Sequence, residues 1–160
     1  MASTYEPIAT TTLGSATNTL TFSSIPSTYT DLVIVANHTS SAGLGWFMRF
    51  NGDTGTNYSM TYVGGNGSAA ESVRESNATC TRVGNSYTTL GTTIIQIQNY
   101  SNSTTYKTQI SRTNNPSNFV AAIVGLWRST AAITSVTLLT NVADTFSTGS
   151  TFTLYGIKAA

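Results

Sequence analysis

The chain reads Gly149-Ser150-Thr151-Phe152-Thr153-Leu154-Tyr155-Gly156-Ile157 near its last residues. Phe152 and Leu154, together with Gly156, fall on one face, and Thr151, Thr153, Tyr155 and Ile157 fall on the other. Alternation with a period of two residues is the pattern of a β-strand. Because the sequence stops three residues later, we expect this strand to close a sheet formed by earlier strands, with Phe152 and Leu154 in the core.

The composition of the rest of the chain favours the same fold class. The 160 residues are 39% hydrophobic, which is enough for one domain with a core, and 10% aromatic, which argues against disorder. Only 8% are charged, against roughly a quarter in typical soluble proteins. Threonine is abundant, and its branched Cβ favours strands over helices. An all-β fold follows.

Apolar and polar residues alternate in several further short segments that are separated by turn residues. Asp31–Asn37 is continuously apolar and is the predicted central strand. Gly64 to Asn85 is predicted to be a long irregular segment, and residues 1–7 a short N-terminal tail. The sequence therefore predicts a single antiparallel β-sandwich of eight to ten short strands, jelly-roll-like, in one domain that spans residues 1–160. The other predicted strands are 8–13, 18–23, 46–50, 58–63, 92–100, 106–112, 119–127 and 135–140.

Charge and cysteine content exclude several classes of partner and of fold. Seven basic and six acidic residues give a net charge of +1, so no strong field attracts nucleic acid or an anionic membrane. Cys80 is the only cysteine, and no intrachain disulfide can form. The first residues lack the pattern of a signal peptide, and no apolar run approaches the ~20 residues of a membrane span. We expect synthesis in a cytosol.

The chemically active side chains form no catalytic or metal-binding motif. His38 is the lone histidine and follows an apolar strand, where a structural role is the better interpretation; pairing with Cys80 as nucleophile and base has no further signature. Asp53 lies in a segment that resembles a calcium loop. Because calcium needs several oxygen ligands and the segment has a single carboxylate, a hairpin turn is the better interpretation. The carboxylates show no paired spacing, although folding could bring two together for glycoside chemistry. We predict no catalytic, cofactor or metal residues.

Aromatic residues offer one candidate binding site. Trp46, Tyr58, Tyr62 and Trp127 could form a platform for sugar rings, because aromatic side chains combine apolar faces with polar tips. Core packing is the better interpretation for Trp46 and Trp127. Tyr58 and Tyr62 fall on the same side of their strand and are the candidate ligand-binding or partner-binding residues.

Three stretches of the sequence resemble a group of small virion proteins of tailed bacteriophages, which includes capsid decoration and tail-associated proteins. They are Phe22-Ser23-Ser24-Ile25-Pro26-Ser27-Thr28-Tyr29-Thr30-Asp31-Leu32, Phe50-Asn51-Gly52-Asp53 with Asn57-Tyr58, and Gly149 to Ile157. The resemblance implies a jelly-roll-like β-sandwich that is assembled as a homotrimer on a phage particle, without enzyme activity.

Within that group we expect a capsid decoration or cement protein that contacts the major capsid protein and is located in the virion. The chain has no shaft before its first predicted strand, which disfavours a fibre. A tail or fibre-tip receptor-binding module that recognises a host glycan remains the alternative. Apolar residues on both faces of Leu32–Ala36 and Ile94–Ile97 indicate an oligomer, because a partner would have to cover an exposed apolar face.

Overall fold

A computed structural model describes residues 4–115 and 119–158 and gives an all-β fold, with no helix in those ranges. All strand pairs are antiparallel. Residues 1–3 of the predicted tail and the predicted turn at Pro116 lie outside the described residues. The strands are β1 Tyr5–Thr12, β2 Thr19–Phe22, β3 Asp31–His38, β4 Gly45–Phe50, β5 Tyr58–Gly65, β6 Ala70–Ala78, β7 Thr81–Asn85, β8 Gly91–Ile97, β9 Lys107–Asn115, β10 Phe119–Trp127, β11 Val136–Thr140 and β12 Thr151–Ile157.

The strands form two sheets. The larger has eight strands in the order β1-β12-β3-β8-β9-β10-β5-β6, and the smaller has four in the order β2-β11-β4-β7. Side chains alternate between buried and exposed along most strands, so each sheet turns one face towards a shared core. This arrangement is compatible with the predicted β-sandwich.

The core lies between the sheets and is built from the inward positions of the central strands. Leu32, Ile34 and Ala36 of β3 are fully buried, as are Trp46 and Met48 of β4. They belong to one cluster that also contains residues of β8, β11 and β12. The predicted central strand is confirmed, because β3 pairs with β12 on one side and β8 on the other.

The last strand, β12, has the orientation that its alternation predicts. It lies between β1 and β3, and Phe152 and Leu154 are fully buried. Gly156 also faces inward, and the ring of Tyr29 lies directly against it where a side chain would otherwise stand. The stretch that indicated an all-β fold is therefore an interior strand of the larger sheet.

Three of the sequence predictions need correction. The described residues contain twelve strands, not eight to ten, because the predicted irregular segment Gly64–Asn85 contains β6 and β7. Residues 70–77 of β6 are exposed on both faces, so this strand carries no apolar alternation to reveal it. The first strand begins at Tyr5, inside the predicted tail, and pairs with β12.

Two hairpins enlarge the larger sheet. Without β5–β6 and β9–β10, the other eight strands form two groups of four, β1-β12-β3-β8 and β2-β11-β4-β7. The two hairpins pair with each other through β10 and β5, which extends the larger sheet beyond β8. A small second cluster of Met60, Tyr62, Ala121 and Ile123 fills the inner side of this extension. The two-sheet fold does not by itself confirm the more specific jelly-roll topology that the sequence predicted.

Candidate functional site

Three loops meet at one end of the two sheets, and we call this region the apex. They are residues 39–44 between β3 and β4, residues 86–90 between β7 and β8, and residues 141–150 between β11 and β12. Backbone hydrogen bonds join them: Ser40 N donates to Tyr87 O at 2.7 Å, and Ser41 N donates to Thr145 O at 3.0 Å. The apex is therefore one connected structure made from distant parts of the sequence.

The carboxylate of Asp144 binds all three loops from within. Its side chain is 2% exposed. Five donors reach it: Ser41 Oγ (2.9 Å), Ala42 N (2.8 Å) and Thr145 N (2.8 Å) on Oδ1, and Leu44 N (3.1 Å) and Ser86 Oγ (2.8 Å) on Oδ2. Burial alone would raise the pKa of Asp144, but these hydrogen bonds outweigh it and hold the pKa at about 2. The charge is thus stabilised by the loops that it organises.

The surface of the apex is neutral and partly aliphatic. Leu44, Leu90 and Val142 are 37%, 62% and 97% exposed. Asp144 is the only charged residue in the three loops, and it is buried. The remaining side chains are mostly small and hydroxylated. Hydrogen-bonded loops with exposed aliphatic residues and no exposed charge of their own form a surface suited to contact with another macromolecule.

His38 lies beneath the apex in an aromatic pocket. Its ring is 4.8 Å from that of Trp46, 5.6 Å from Phe146 and 6.0 Å from Phe152, measured between centroids. Neither ring nitrogen has a hydrogen-bond partner among the described residues. Burial lowers the pKa of His38 to about 4, against a weaker opposing effect of Asp144. These contacts agree with the structural interpretation of this histidine.

Cys80 lies in a different environment, in the turn between β6 and β7. Burial raises the pKa of its thiol above the usual value. A raised pKa disfavours the thiolate, which is the nucleophilic form. Since the unpartnered nitrogens of His38 make no hydrogen bond to this thiol, the structure does not bring the two residues together as a nucleophile and a base.

Asp53 organises the hairpin between β4 and β5. Its carboxylate accepts hydrogen bonds from Gly55 N at 2.8 Å, Asn57 Nδ2 at 2.9 Å and Trp127 Nε1 at 2.7 Å. Burial opposes ionisation, but these donors outweigh it and lower the pKa of Asp53. The predicted plain turn therefore agrees with the geometry. Within residues 4–115 and 119–158, no group of three or more His, Cys, Asp or Glu residues is placed to hold a metal ion.

The two candidate binding residues of β5 both point into the protein. Tyr58 is 0% exposed, and its hydroxyl accepts a hydrogen bond from Phe50 N at 3.0 Å. Burial raises the pKa of Tyr58 to about 12. Tyr62 is 2% exposed and donates to Glu71 Oε1 at 2.6 Å. The prediction that they share a side of β5 is confirmed, but neither ring face is open to a sugar.

The other aromatic candidates are core residues, as expected. Trp46 is 0% exposed and Trp127 is 2% exposed. Tyr62 stacks on Phe119 at 6.0 Å, and the guanidinium of Arg82 lies 5.3 Å from the Tyr62 ring. Protein groups thus already cover the aromatic faces from which a sugar platform would be built.

The sequence did not indicate the importance of Asp144. Its donors come from residues up to 103 positions away in the chain, so no local motif records them. The only nearby sign is a turn in which Asp144 N donates to Asn141 O at 2.9 Å. A lone acidic residue in long uncharged loops is the signal that could have pointed to it.

Comparisons with known proteins give no assignment. No protein-family model matches the chain, and no curated protein sequence matches it. A search of the described residues finds no helix that is long and apolar enough to span a membrane.

Proposed function

We propose that this chain is a non-enzymatic structural protein of a bacteriophage virion, namely a capsid decoration or cement protein that stabilises the head. Its partners are copies of itself, as a homotrimer, and the major capsid protein. The proposal starts from the resemblance of residues 22–32, 50–58 and 149–157 to small virion proteins. The single structural observation that carries it is the apex, a preorganised contact surface without catalytic groups.

The strand order supports the fold that the resemblance implies. In a jelly roll, eight strands form two sheets through two Greek keys. The groups β1-β12-β3-β8 and β2-β11-β4-β7 remain when the two hairpins are left out. Along the chain, each of these eight strands then lies in the opposite sheet from the strand before it, except that β4 and β7 lie in the same sheet. We interpret the fold as a jelly roll that is enlarged by the hairpins β5–β6 and β9–β10. Viral capsid proteins are among the proteins that use this fold.

The apex fits a role in binding to a protein surface. Its loops are held by the buried carboxylate of Asp144 before any partner arrives, and preorganisation reduces the entropic cost of association. Leu90 and Val142 are exposed aliphatic anchors, and the loops that carry them contain no charged residue other than the buried Asp144. A neutral partner surface with apolar pockets is the complement of such a patch.

The alternative is a tail or fibre-tip module that binds a host receptor. The burial of Tyr58 and Tyr62 removes the aromatic platform that motivated a host glycan as the ligand. A receptor-binding module would therefore have to use the apex loops as well. Location on the particle distinguishes the two functions, because both use the same surface.

The deciding experiment is to locate the protein on purified particles. Heads and tails are separated, and the chain is quantified in each fraction and imaged by cryo-electron microscopy. We expect many copies on heads. Detection on tails alone would overturn the decoration assignment and favour the receptor-binding alternative.

A second experiment tests the apex itself. Heads that lack the protein are mixed with the wild type or with the double variant Leu90→Ser/Val142→Ser, and bound protein is measured after sedimentation. We expect the double variant to bind at least about tenfold more weakly, since two exposed anchors are lost. The matched control is Tyr106→Ser, which changes a side chain that is 56% exposed and lies in the loop between β8 and β9. Equal binding of both variants would exclude the apex as the capsid contact.

A further inference from the structure

The hairpin extension of the larger sheet carries a patch of exposed apolar residues. We call it the outer patch; it lies on the side of β9, β10 and β5 that faces away from the smaller sheet. Val63, Val120, Val124 and Ile110 are 57%, 63%, 52% and 37% exposed. The sequence indicated exposed apolar faces on β3 and β8. Val33 of β3 is only 5% exposed, whereas Ile94 of β8 borders the outer patch.

The residues of the outer patch are neighbours across the strands. Val124 pairs with Ile110 on β9, and Ala122 pairs with Val63 on β5. A groove of about 570 Å³ runs over this part of the sheet and is lined by Val63, Ile94, Val120 and Ala122. Exposed apolar patches that are rimmed by polar residues often mark protein–protein contacts.

Two arginines lie at the outer patch, and one of them, Arg112, also lines the groove. Arg112 of β9 lies in the same cross-strand row as Ala122 and Val63, and Arg74 of β6 lies opposite Thr61. Both side chains are exposed, and neither forms a hydrogen bond or ion pair with any residue in the described part of the chain. In contrast, Arg49, Arg82, Arg128, Lys107 and Lys158 each donate to a partner.

Two negatively charged residues, Glu71 and Glu75, lie on the edge strand β6, on the face opposite to that of Arg74. Glu71, Val73 and Glu75 alternate along it and pair with Gly64, Tyr62 and Met60, whose side of the sheet faces inward. All three are exposed, with Val73 at 40%, because β6 is the edge strand of the larger sheet and pairs with no strand of the smaller one. We call these three residues the acidic edge.

We propose that copies of this chain assemble head to tail, with the acidic edge of one copy on the outer patch of the next, so that Glu75 faces Arg112 and Glu71 faces Arg74. The partner is thus a second copy of the chain. A head-to-tail contact generates a ring when its rotation closes. This contact would be the subunit interface of the homotrimer in the proposed function. It rests on that function only for the number of subunits, which is three.

The spacings of the charges agree with this contact. Glu71 and Glu75 are four residues apart, which is about 13 Å along a strand. Arg112 and Arg74 are separated by three strand spacings and two residues, which is about 14 Å across the sheet and 7 Å along it. The side chains of arginine and glutamate are long and flexible enough to span the difference between these two separations. Val73 would then lie over the apolar residues between the two arginines.

The experiment is a charge exchange, read out by light scattering coupled to size-exclusion chromatography. We expect the wild type to be oligomeric at micromolar concentration. Arg112→Glu and Glu75→Arg should each raise the dissociation constant on the order of a hundredfold, because each places like charges in contact. The double variant Arg112→Glu/Glu75→Arg should assemble again, since its charges are complementary in the opposite sense.

The control variants separate this contact from the apex. Val124→Glu should prevent assembly, whereas Val142→Glu, which changes an apex residue that is 97% exposed, should leave it intact. A monomeric wild type, an Arg112→Glu chain that still assembles, or a double variant that stays dissociated would each overturn the inference. Head binding is measured separately, so a failure of the outer patch would not be mistaken for a failure of the apex. All variants should first show a cooperative thermal transition.

Discussion

The Ser86 hydroxyl donates a hydrogen bond of 2.8 Å to Oδ2 of Asp144, 58 residues further along the chain. The same carboxylate oxygen accepts the backbone N–H of Leu44 at 3.1 Å. One buried charge thus joins the loops that precede β4, β8 and β12. Because these connections span the two sheets, the shape of the apex should depend more on Asp144 than on any of its exposed residues.

Asp144→Asn should loosen the apex and destabilise the fold. The amide nitrogen of asparagine cannot accept the hydrogen bonds that one carboxylate oxygen accepts. At least one backbone N–H would therefore lose its acceptor: Leu44 N if the nitrogen replaces Oδ2, or Ala42 N and Thr145 N if it replaces Oδ1. We expect the free energy of unfolding to fall by about 1–3 kcal/mol. Urea denaturation measures this loss, and amide hydrogen exchange at Ala42 and Leu44 should become faster.

Asp31→Asn is the matched control for that variant. Its Oδ1 accepts one backbone hydrogen bond, from Asn99 N at 2.6 Å, in an exposed setting. Because solvent can replace this bond, we expect a loss below about 1 kcal/mol. Equal losses for the two variants would mean that the buried network around Asp144 has no special role.

Acid should remove the contribution of Asp144. Its pKa in the folded protein, about 2, lies below the ordinary value of 3.8. A lowered pKa means that the stabilisation is complete above pH 3.8 and is lost as the pH falls towards 2. The free energy of unfolding of the wild type should therefore fall more steeply in this window than that of Asp144→Asn. Parallel curves would contradict the assigned pKa.

His38 should make the stability depend on pH in a higher range. Its folded pKa of about 4 lies below the ordinary value of 6.5. The unfolded chain therefore binds the proton more readily, and stability is lost as the pH falls from 6.5 towards 4. The shift corresponds to about 3 kcal/mol.

His38→Phe should abolish that dependence and retain the aromatic contacts with Trp46, Phe146 and Phe152. Since neither nitrogen of His38 has a partner among the described residues, no hydrogen bond is lost in the variant. Urea unfolding of both proteins between pH 4 and 6.5 measures the difference. A variant with the slope of the wild type would show that another group titrates.

The sequence predicted the parts of the fold whose side chains divide between core and solvent. The inward face of β12 was predicted correctly because Phe152 and Leu154 alternate with hydroxylated residues. β6 was missed because both of its faces meet solvent and its residues follow no period. The Asp144 network was missed because its donors are brought together only by the tertiary fold. A periodic pattern of apolar residues indicates which side chains are buried, but it carries no information about contacts between loops that are distant in the sequence.

Gly156 gives a steric test of the packing beneath β12. A Cβ atom at this position would overlap the ring of Tyr29, which covers the glycine. Gly156→Ala should therefore cost about 1–3 kcal/mol, as expected for overpacking in a core. Gly14→Ala is the control, because a Cβ there meets no atom within 4 Å. Thermal unfolding that is equally affected by both variants would exclude the Tyr29 contact as the cause.

Side chains on the two faces of β12 should differ strongly in their contribution to stability. Phe152 is 0% exposed and lies 5.0 Å from the Phe146 ring, so Phe152→Ala should cost about 3–5 kcal/mol. Thr153 is half-buried on the opposite face, and its hydroxyl accepts a hydrogen bond of 3.2 Å from the Thr10 hydroxyl. Thr153→Ala should cost less than about 1 kcal/mol. Chemical denaturation of the two variants measures this difference.

Removal of the chain from Gly149 onwards should abolish cooperative unfolding. The deletion removes the strand that lies between β1 and β3, and β1 has no other partner in the larger sheet. It therefore exposes the inward residues of β3, including Leu32 and Ile34, and leaves the backbone of two strands unpaired on one side. Calorimetry should show no sharp transition. If a chain that ends at Thr148 still melted cooperatively, β12 would be an addition to the sheet and not a strand that the fold requires.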